Sequence, residues 1–307
     1  MYNYITIDGG TTNTRISIVS DGKIIDTRKI KSDSNTEKYK IVIKDNINEL
    51  LKNGFEEKDI LRILITGTMA TAEFGIYPLD YVVTPVNIAI LKRESCEVVI
   101  PEISDIPFVV VRGVKTQGDS LDKVDAMRGE ESELAGIMSA NDKSCVYMLM
   151  GSHSKIIRTD DNGNIIDICT MLSGELIEAV SKSTILKNTL VFDGSTLDRE
   201  FIKKGCNYCL EKGFNEALFK VRLLKTVFQE SNSRIYSFFL GAILHGEVQY
   251  ILNSDAEKIV IGGNKFLKEA AFMLLKEYVQ CDVMSLSDDV VENAVSLGLV
   301  KIFEYEL

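Results

Sequence analysis

The sequence predicts an α/β fold of two lobes, and three observations support this prediction. A strand–loop–strand–turn–strand pattern begins at Tyr2 and recurs at Cys145. Short apolar strands alternate with helical segments, which is typical of α/β lobes. The chain has 307 residues, enough for two separate cores. We expect lobes over residues 1–135 and 136–307, with packing of the final helix against the first lobe as an option.

The first copy of the pattern has a small-residue loop between two strands and a turn at Asp21-Gly22. Asp-Gly turns between β-rich segments are strong hairpin signals. The glycines of the loop permit close approach of the backbone to an anion and positive φ, and its other side chains add hydrogen-bond donors. Such a loop can hold phosphate. We therefore assign phosphate binding to Gly9, Gly10, Thr11, Thr12 and Asn13.

Asp8 lies at the predicted carboxyl end of the first strand, beside that loop. A lone carboxylate suits hydrated Mg²⁺, which keeps several waters and needs few protein ligands. The sequence thus predicts Asp8 as the metal ligand.

Two further loops follow the same logic in the second half. The second hairpin carries Gly151, Ser152 and Lys155 in its loop, and its turn lies around Asn162-Gly163. A strand from Lys258 then ends at a glycine pair, followed by a residue that can cap a helix. Paired glycines at such a turn allow a flat ring to lie against the backbone. Gly262, Gly263 and Asn264 are therefore candidates for nucleotide binding, and an ordinary strand-to-helix turn is the alternative.

The remaining elements are predicted from apolar periodicity and turn residues. We expect helices over residues 36–52, 124–139 and 233–253 and a final helix that begins near Asp288; buried strands are expected at 60–67 and 107–114. The roughly hundred residues after the second hairpin are expected to be mostly helical.

The composition narrows the class of protein. Apolar residues make up 45% of the chain and the formal net charge is −10, which indicates a soluble protein that does not bind nucleic acid nonspecifically. The longest apolar stretches are too short to span a membrane, and Asp8 interrupts the N-terminal apolar run, so no signal peptide is predicted. Six scattered cysteines suit a reducing compartment, and we expect a cytoplasmic location.

The three loops, taken in order, resemble those of the actin-like ATPase superfamily, which includes sugar kinases, hexokinases and heat-shock ATPases. Within it the chain is similar to the 2-dehydro-3-deoxygalactonokinase family, through DGGTTNTR, MRGEESELAG, GSHSK and MLSGE. The family's usual pattern has Trp at the position of Gly9, and Thr and Cys at Ser152 and Ser154. The resemblance implies two actin-like (ribonuclease H-like) lobes with mixed central sheets and a nucleotide cleft between them.

Phosphoryl transfer needs a carboxylate near the acceptor hydroxyl, and three candidates remain open. In related carbohydrate kinases an Asp, often after Gly, shortly precedes the second phosphate loop. Glu130, after Gly129, takes that place here. Asp125 is the second candidate, one predicted helical turn earlier, and Glu131 is the third. The alternative is an acidic helix start that only complements the helix dipole.

The resemblance also implies a sugar acid as acceptor, so a cation is expected near its carboxylate. Arg128 could clamp that group bidentately, or it could orient a neighbouring glutamate; Arg112 and Lys115 are alternative cations. Ser173 is expected to cap a helix. The substrate-side candidates are Thr68, Met69, Arg128, Glu131 and Glu175.

The expected activity is transfer of phosphate from ATP, with Mg²⁺, to the terminal hydroxyl of a 2-keto-3-deoxy sugar acid. The galactonate is the expected acceptor, and its 6-phosphate the product. Another sugar or amino-sugar kinase of the superfamily is an alternative, as is a non-catalytic actin-like nucleotide switch. The partners expected are a small-molecule sugar acid, no nucleic acid and no membrane; a homodimer is one assembly left open.

Overall fold

A computed structural model describes residues 2–71, 75–139, 144–192, 194 and 196–306. Its strands are Asn3–Gly9 (β1), Asn13–Ser20 (β2), Lys23–Lys31 (β3), Ile60–Gly67 (β4), Val82–Val83 (β5), Cys96–Ile100 (β6), Ser104–Val110 (β7), Val114–Lys115 (β8), Ala126–Met127 (β9), Cys145–Met150 (β10), Ser154–Thr159 (β11), Ile165–Met171 (β12), Lys258–Gly263 (β13) and Asp282–Ser285 (β14). Its α-helices are Thr36–Leu51 (α1), Ile88–Glu94 (α2), Glu130–Ile137 (α3), Ser173–Ser183 (α4), Arg199–Lys212 (α5), Phe214–Thr226 (α6), Asn232–Ile243 (α7), His245–Leu252 (α8), Lys265–Tyr278 (α9) and Asp288–Glu304 (α10).

The chain folds into two units, and each is built from several segments of the sequence. Unit 1 contains residues 1–143, 159–168 and 289–307, and unit 2 contains residues 144–158 and 169–288. In the predicted division, between residues 135 and 136, the chain passes from the first lobe to the second once. In the structure the chain returns to unit 1 twice. The last return brings α10 to β1, where Thr6 Oγ1 donates to Ser296 Oγ at 2.8 Å.

Unit 1 is organised around a six-stranded mixed sheet in the order β3-β2-β1-β4-β7-β6. The β1–β2 pair is antiparallel, as the predicted hairpin requires, and β1 pairs with β4 in parallel. Isoleucines that alternate along β1 and β2 are fully buried against α1, because alternate strand residues face one side of a sheet. The pairing also brings the ends of β1 and β4 together, with Gly9 opposite Gly67.

Unit 2 is organised around a five-stranded sheet in the order β12-β11-β10-β13-β14. The helices α4 to α9 belong to the same unit, which agrees with the predicted helical stretch. The predicted turn between β11 and β12, whose residues belong to unit 1, is confirmed, since Gly163 has a φ of 72°. Strands β10 and β13 are parallel neighbours, with Met150 opposite Gly263, so the loops that follow both strands leave the same edge of the sheet.

Three predicted elements have different bounds in the structure. The helix expected over 124–139 begins only at Glu130, because Ala126 and Met127 pair with β8 and Gly129 has a φ of 109°. The strand expected to end near Val114 ends at Val110. The single helix expected over 233–253 is the pair α7 and α8, bent by 46°.

No single helix of the described residues is both long and apolar enough to cross a membrane; α7 and α8 pass that test only as a bent pair.

Candidate active site

Asp8 and the first phosphate loop form the edge of unit 1 where β1 ends. The Asp8 carboxylate lies 3.7 Å from the guanidinium of Arg15, and 21% of its side chain is exposed. The loop threonines Thr11 and Thr12 are exposed, so their hydroxyls are open to solvent. Burial raises the pKa of Asp8 and so does nearby Glu130, while Arg15 lowers it. The negative charge of Glu130 therefore acts on Asp8.

The expected positive φ of Gly9 and Gly10 is not observed, because neither residue has a left-handed backbone. Space is the reason for glycine at both positions. A Cβ on Gly9 would lie 2.8 Å from Met69 Cγ, and one on Gly10 would lie 2.7 Å from the Asn13 carbonyl oxygen. Both distances are shorter than real Cβ contacts, so the loop requires glycine for close packing.

A hydroxyl network fixes the shape of this loop. Ser32 Oγ donates to the carbonyl oxygen of Gly10 at 2.6 Å, and Ser32 N–H donates to that of Thr12 at 3.1 Å. Thr14 Oγ1 shares hydrogen bonds with Ser32 Oγ and with the phenol of buried Tyr39. The network holds the loop carbonyls on the protein side, which leaves the outer face of the loop for a ligand.

Helix α3 begins at the same site, with Glu130 as its first residue. The Glu130 carboxylate accepts a hydrogen bond from the backbone N–H of Arg128 at 2.9 Å. The negative charge of Glu130 raises the pKa values of Asp8, Glu131 and Glu133. An acidic residue at a helix N-terminus interacts favourably with the helix dipole, so position and charge both suit Glu130 to meet a substrate hydroxyl.

Glu133 is a residue that the sequence patterns did not single out. It lies three residues after Glu130, which places the two side chains on one face of α3. Burial raises the pKa of Glu133 to about 8, and the charges of Glu130 and Asp8 contribute to that rise. Its position in the run EESE was a signal of helical spacing, but only the fold reveals that the charge of Asp8 acts on it.

The carboxylate of Glu131 has internal hydrogen-bond partners. Its side chain is fully buried, and its carboxylate accepts hydrogen bonds from Thr66 Oγ1 at 2.7 Å and from Gly129 N–H at 2.8 Å. Ser132 Oγ also donates to it, at 3.2 Å. These bonds join the end of β4 to the start of α3, and they point the carboxylate into the protein rather than toward a ligand.

The other two predicted residues of this segment also make internal contacts. The Arg128 guanidinium donates to the carbonyl oxygens of Ala70 and Leu79, both at 2.9 Å, and stacks on the ring of Tyr81. Asp125 Oδ1 accepts from the N–H of Ala126 at 2.6 Å. The side chain of Arg128 therefore holds the chain after β4 in place, and its backbone N–H is the group that contacts Glu130. Asp125 is not on a helix.

The segment after β4 that is predicted to face the sugar is only partly described, since residues 72–74 lie outside the described ranges. Thr68 Oγ1 donates to the Gly9 carbonyl oxygen at 3.1 Å. Met69 is fully buried in the core of unit 1, which leaves only its backbone to meet a ligand. The segment is thus tied to the first phosphate loop.

In unit 2, the second phosphate loop and the glycine pair lie side by side. Gly263 has a φ of 95°, and a Cβ there would lie 2.2 Å from the Met150 carbonyl oxygen, next to Gly151. Asn264 N–H donates to the same oxygen at 2.6 Å, while Asn264 Oδ1 caps α9 as predicted. Gly262 is the residue of β13 opposite Leu149. Two candidate nucleotide loops therefore share one sheet edge.

The side chains of the second loop have partners within unit 2. Lys155 is largely buried, and its Nζ donates to Thr170 Oγ1 at 2.7 Å. His153 Nε2 lies 2.9 Å from Glu175 Oε1. Ser173 does not cap α4 as predicted; it is the first helical residue, and its hydroxyl donates to Glu247. These contacts place Glu175 beside the candidate second phosphate loop.

The donor set at Asp8 fits a hydrated magnesium ion. Across the described ranges, no three His, Cys, Asp or Glu side chains are grouped so as to hold a metal by themselves. Asp8 and Glu130 nevertheless offer hard oxygen donors, and their mutual repulsion would be relieved by a cation. Mg²⁺ is commonly held by one or two carboxylates together with substrate phosphates, so one protein ligand is sufficient.

Comparison with known proteins gives a family and a fold. The model of the 2-keto-3-deoxy-galactonokinase family matches residues 8–302. A Sinorhizobium meliloti protein assigned as a 2-dehydro-3-deoxygalactonokinase has a similar crystal structure, with a TM-score of 0.79, 20% identity and 98% of each chain covered. Component A of the (R)-2-hydroxyglutaryl-CoA dehydratase of Acidaminococcus fermentans has a TM-score of 0.56 at 12% identity, with 98% of this chain and 97% of that chain covered. No curated protein gives a significant match.

A third similar structure is the activator of the 2-hydroxyisocaproyl-CoA dehydratase from Clostridium difficile with bound ADPNP, which has a TM-score of 0.50 and 12% identity over 99% of this chain and 94% of that chain. The structural matches confirm the predicted actin-like α/β fold with mixed sheets. The family match extends over nearly all of the sequence. The chain is therefore a carbohydrate kinase and belongs to the 2-keto-3-deoxy-galactonokinase family.

Proposed function

We propose that the protein transfers the γ-phosphoryl group of ATP to the terminal primary hydroxyl of 2-dehydro-3-deoxy-galactonate, which yields the 6-phosphate. Membership of the family supports a 2-keto-3-deoxy sugar acid as acceptor. The observation that carries the proposal is that α3 begins beside the ends of β1 and β4, since a Cβ on Gly129 would lie 3.3 Å from Gly67 Cα and Gly67 is opposite Gly9. This supports a candidate base, Glu130, on the same side of unit 1 as the candidate metal ligand, Asp8.

In this mechanism Glu130 accepts the proton of the acceptor hydroxyl. Its carboxylate is held at the start of α3 by the Arg128 N–H. A carboxylate held near the acceptor hydroxyl can act as its general base. Asp8 would hold Mg²⁺, which neutralises phosphate charge when bound.

The other groups position the phosphates. Arg15 is a cation beside Asp8, with 45% of its side chain exposed, and it is available to a phosphate oxygen. The outer face of the loop at Gly10–Asn13 supplies further donors. In unit 2, the loop after β10 takes phosphate and the glycine pair after β13 takes the adenosine. The bound ADPNP in the Clostridium difficile activator, which has a similar fold, supports nucleotide binding.

In this proposal Arg128 is not the cation for the substrate carboxylate, because its guanidinium is held within unit 1 by the Ala70 and Leu79 carbonyl oxygens and by the ring of Tyr81. Arg112 is similarly used, since its Nε donates to the Glu94 carbonyl oxygen at 2.7 Å. Lys115 is exposed and is the remaining candidate of the three, so Lys115→Met should raise KM for the acid more than KM for ATP.

The test combines a substrate panel with variants. Wild-type protein is incubated with ATP, Mg²⁺ and each of several sugar acids, and ADP release is measured. Glu130→Gln should lower kcat by about 10²–10⁴ and leave ATP affinity nearly unchanged. Asp125→Asn is the matched control and should retain activity. If Asp125→Asn is the severe variant and Glu130→Gln is not, the base assignment is wrong.

A further inference from the structure

The proposed ATP site contains a loop whose placement depends on a residue far from it in sequence. The second phosphate loop, residues 151–153, packs against the start of α4. A Cβ on Gly174 would lie 2.3 Å from the Gly151 carbonyl oxygen and 2.7 Å from Ser152 Cα. Glu175 N–H also donates to the Ser152 carbonyl oxygen at 3.1 Å. The loop is therefore in direct backbone contact with the helix.

The start of α4 is in turn held by a buried carboxylate. Ser173 is 3% exposed, and its hydroxyl donates to Oε1 of Glu247, which is 1% exposed. Glu247 lies on α8, whose Gly246 packs against Met171 at the end of β12. Helix α8 is bent by 46° relative to α7, and Glu247 on α8 faces Ser173.

A contribution to folding stability does not explain why Ser173 and Glu247 are paired in the interior. Burial of a carboxylate is unfavourable, and Oε2 of Glu247 has no hydrogen-bond partner among the residues described. An apolar pair of similar volume is often neutral or stabilising at such a position. An apolar pair would not fix the orientation of α4, because a hydrogen bond is directional and dispersion contacts are not. Gly174 has no side chain that could lock the helix against the loop instead.

We propose that Glu247 is a positioning residue for the nucleotide site, which acts through Ser173 to hold α4 against the second phosphate loop. This inference rests on the proposed function only in naming ATP phosphates as the ligand of that loop. The chain of contacts runs from Glu247 to Ser173, across Gly174 and Glu175, to residues 151–153. The His153–Glu175 contact, at 2.9 Å, depends on the same placement.

The decisive variant replaces both partners with apolar residues. Ser173→Ala with Glu247→Leu leaves no unpaired hydroxyl or carboxylate, so the protein should unfold at or above the wild-type temperature. The loop should nevertheless lose its placement. We expect backbone amides of residues 151–153 to exchange with deuterium faster than in wild type without nucleotide, and ATP–Mg²⁺ to bind about tenfold more weakly, as loss of one well-placed interaction gives.

Two further variants separate positioning from general damage. Glu247→Gln keeps an oxygen that accepts from Ser173. This single variant should therefore have the exchange rates and the ATP affinity of the wild type. Tyr278→Phe removes another polar contact within unit 2, that with Asn207, and should change neither. Wild-type exchange rates and ATP affinity in the double variant would overturn the proposal. Failure of the wild type to bind ATP would refute the proposed function alone, because the exchange of residues 151–153 still tests the positioning role.

Discussion

Substitution of Glu131 by Gln should change how the stability of the protein depends on pH. Burial raises the pKa of Glu131 from 4.5 to about 7, and the charge of Glu130 adds to the rise, while the hydrogen bonds from Thr66 and Gly129 oppose it. The folded state therefore binds the proton more tightly than the unfolded state. Stability from this group is complete below pH 4.5 and is lost as pH rises through about 7.

The size of the effect follows from the difference in pKa. A rise from 4.5 to about 7 corresponds to about 3 kcal/mol in total, of which about 2 kcal/mol is lost between pH 5.5 and 8. Gln has no such titration. Its amide also fits the site, because its oxygen can accept from Gly129 N–H and its NH₂ can donate to the hydroxyls of Thr66 and Ser132, which rotate freely.

The assay is urea unfolding followed by far-UV circular dichroism, since the chain has no Trp for fluorescence. Relative to wild type, Glu131→Gln should gain about 2 kcal/mol between pH 5.5 and pH 8. Glu57→Gln, at an exposed position, is the matched control. Parallel stability curves for Glu131→Gln and wild type, or a relative loss as pH rises, would refute the reasoning.

Three other predictions concern the site. Asp8→Ala should fold normally and lose most turnover because Mg²⁺ loses its protein ligand; full activity would remove Asp8 from the mechanism. Tyr39→Phe removes the hydrogen bond to Thr14 and should destabilise the protein by about 1 kcal/mol while raising KM for ATP; a thermal melt and a KM no different from wild type would show that the network does not shape the loop. A neutral analogue of the keto-deoxy acid, without its carboxylate, should react with a much lower kcat/KM, and equal values would exclude the sugar-acid assignment.

Much of the fold could be predicted from the sequence, because turns and helix ends are determined by residues that are neighbours in the chain. Asp21-Gly22 and Asn162-Gly163 are turn dipeptides, and both hairpins form where they predict. The helix cap predicted at Asn264 is also a local signal. The same local rules could not show the bend after α7 or the late start of α3. Those depend on pairing with β8 and on packing, which join residues distant in sequence.

The site was predicted less completely, because side-chain roles depend on tertiary contacts. Arg128 next to two glutamates looked like a substrate clamp or an orienting group, yet its guanidinium binds carbonyl oxygens more than forty residues earlier in the chain. Ser173 had the sequence of a helix cap, but its partner is Glu247. That the charge of Asp8 raises the pKa of Glu133 could be seen only from the fold.

The most direct test of the central claim is ³¹P NMR of a reaction that contains the protein, ATP, Mg²⁺ and 2-dehydro-3-deoxy-galactonate. The account predicts a sugar 6-phosphate resonance that grows in proportion to ADP, and its loss in Glu130→Gln. ADP and inorganic phosphate without any sugar phosphate, or no consumption of ATP with any sugar acid, would contradict it.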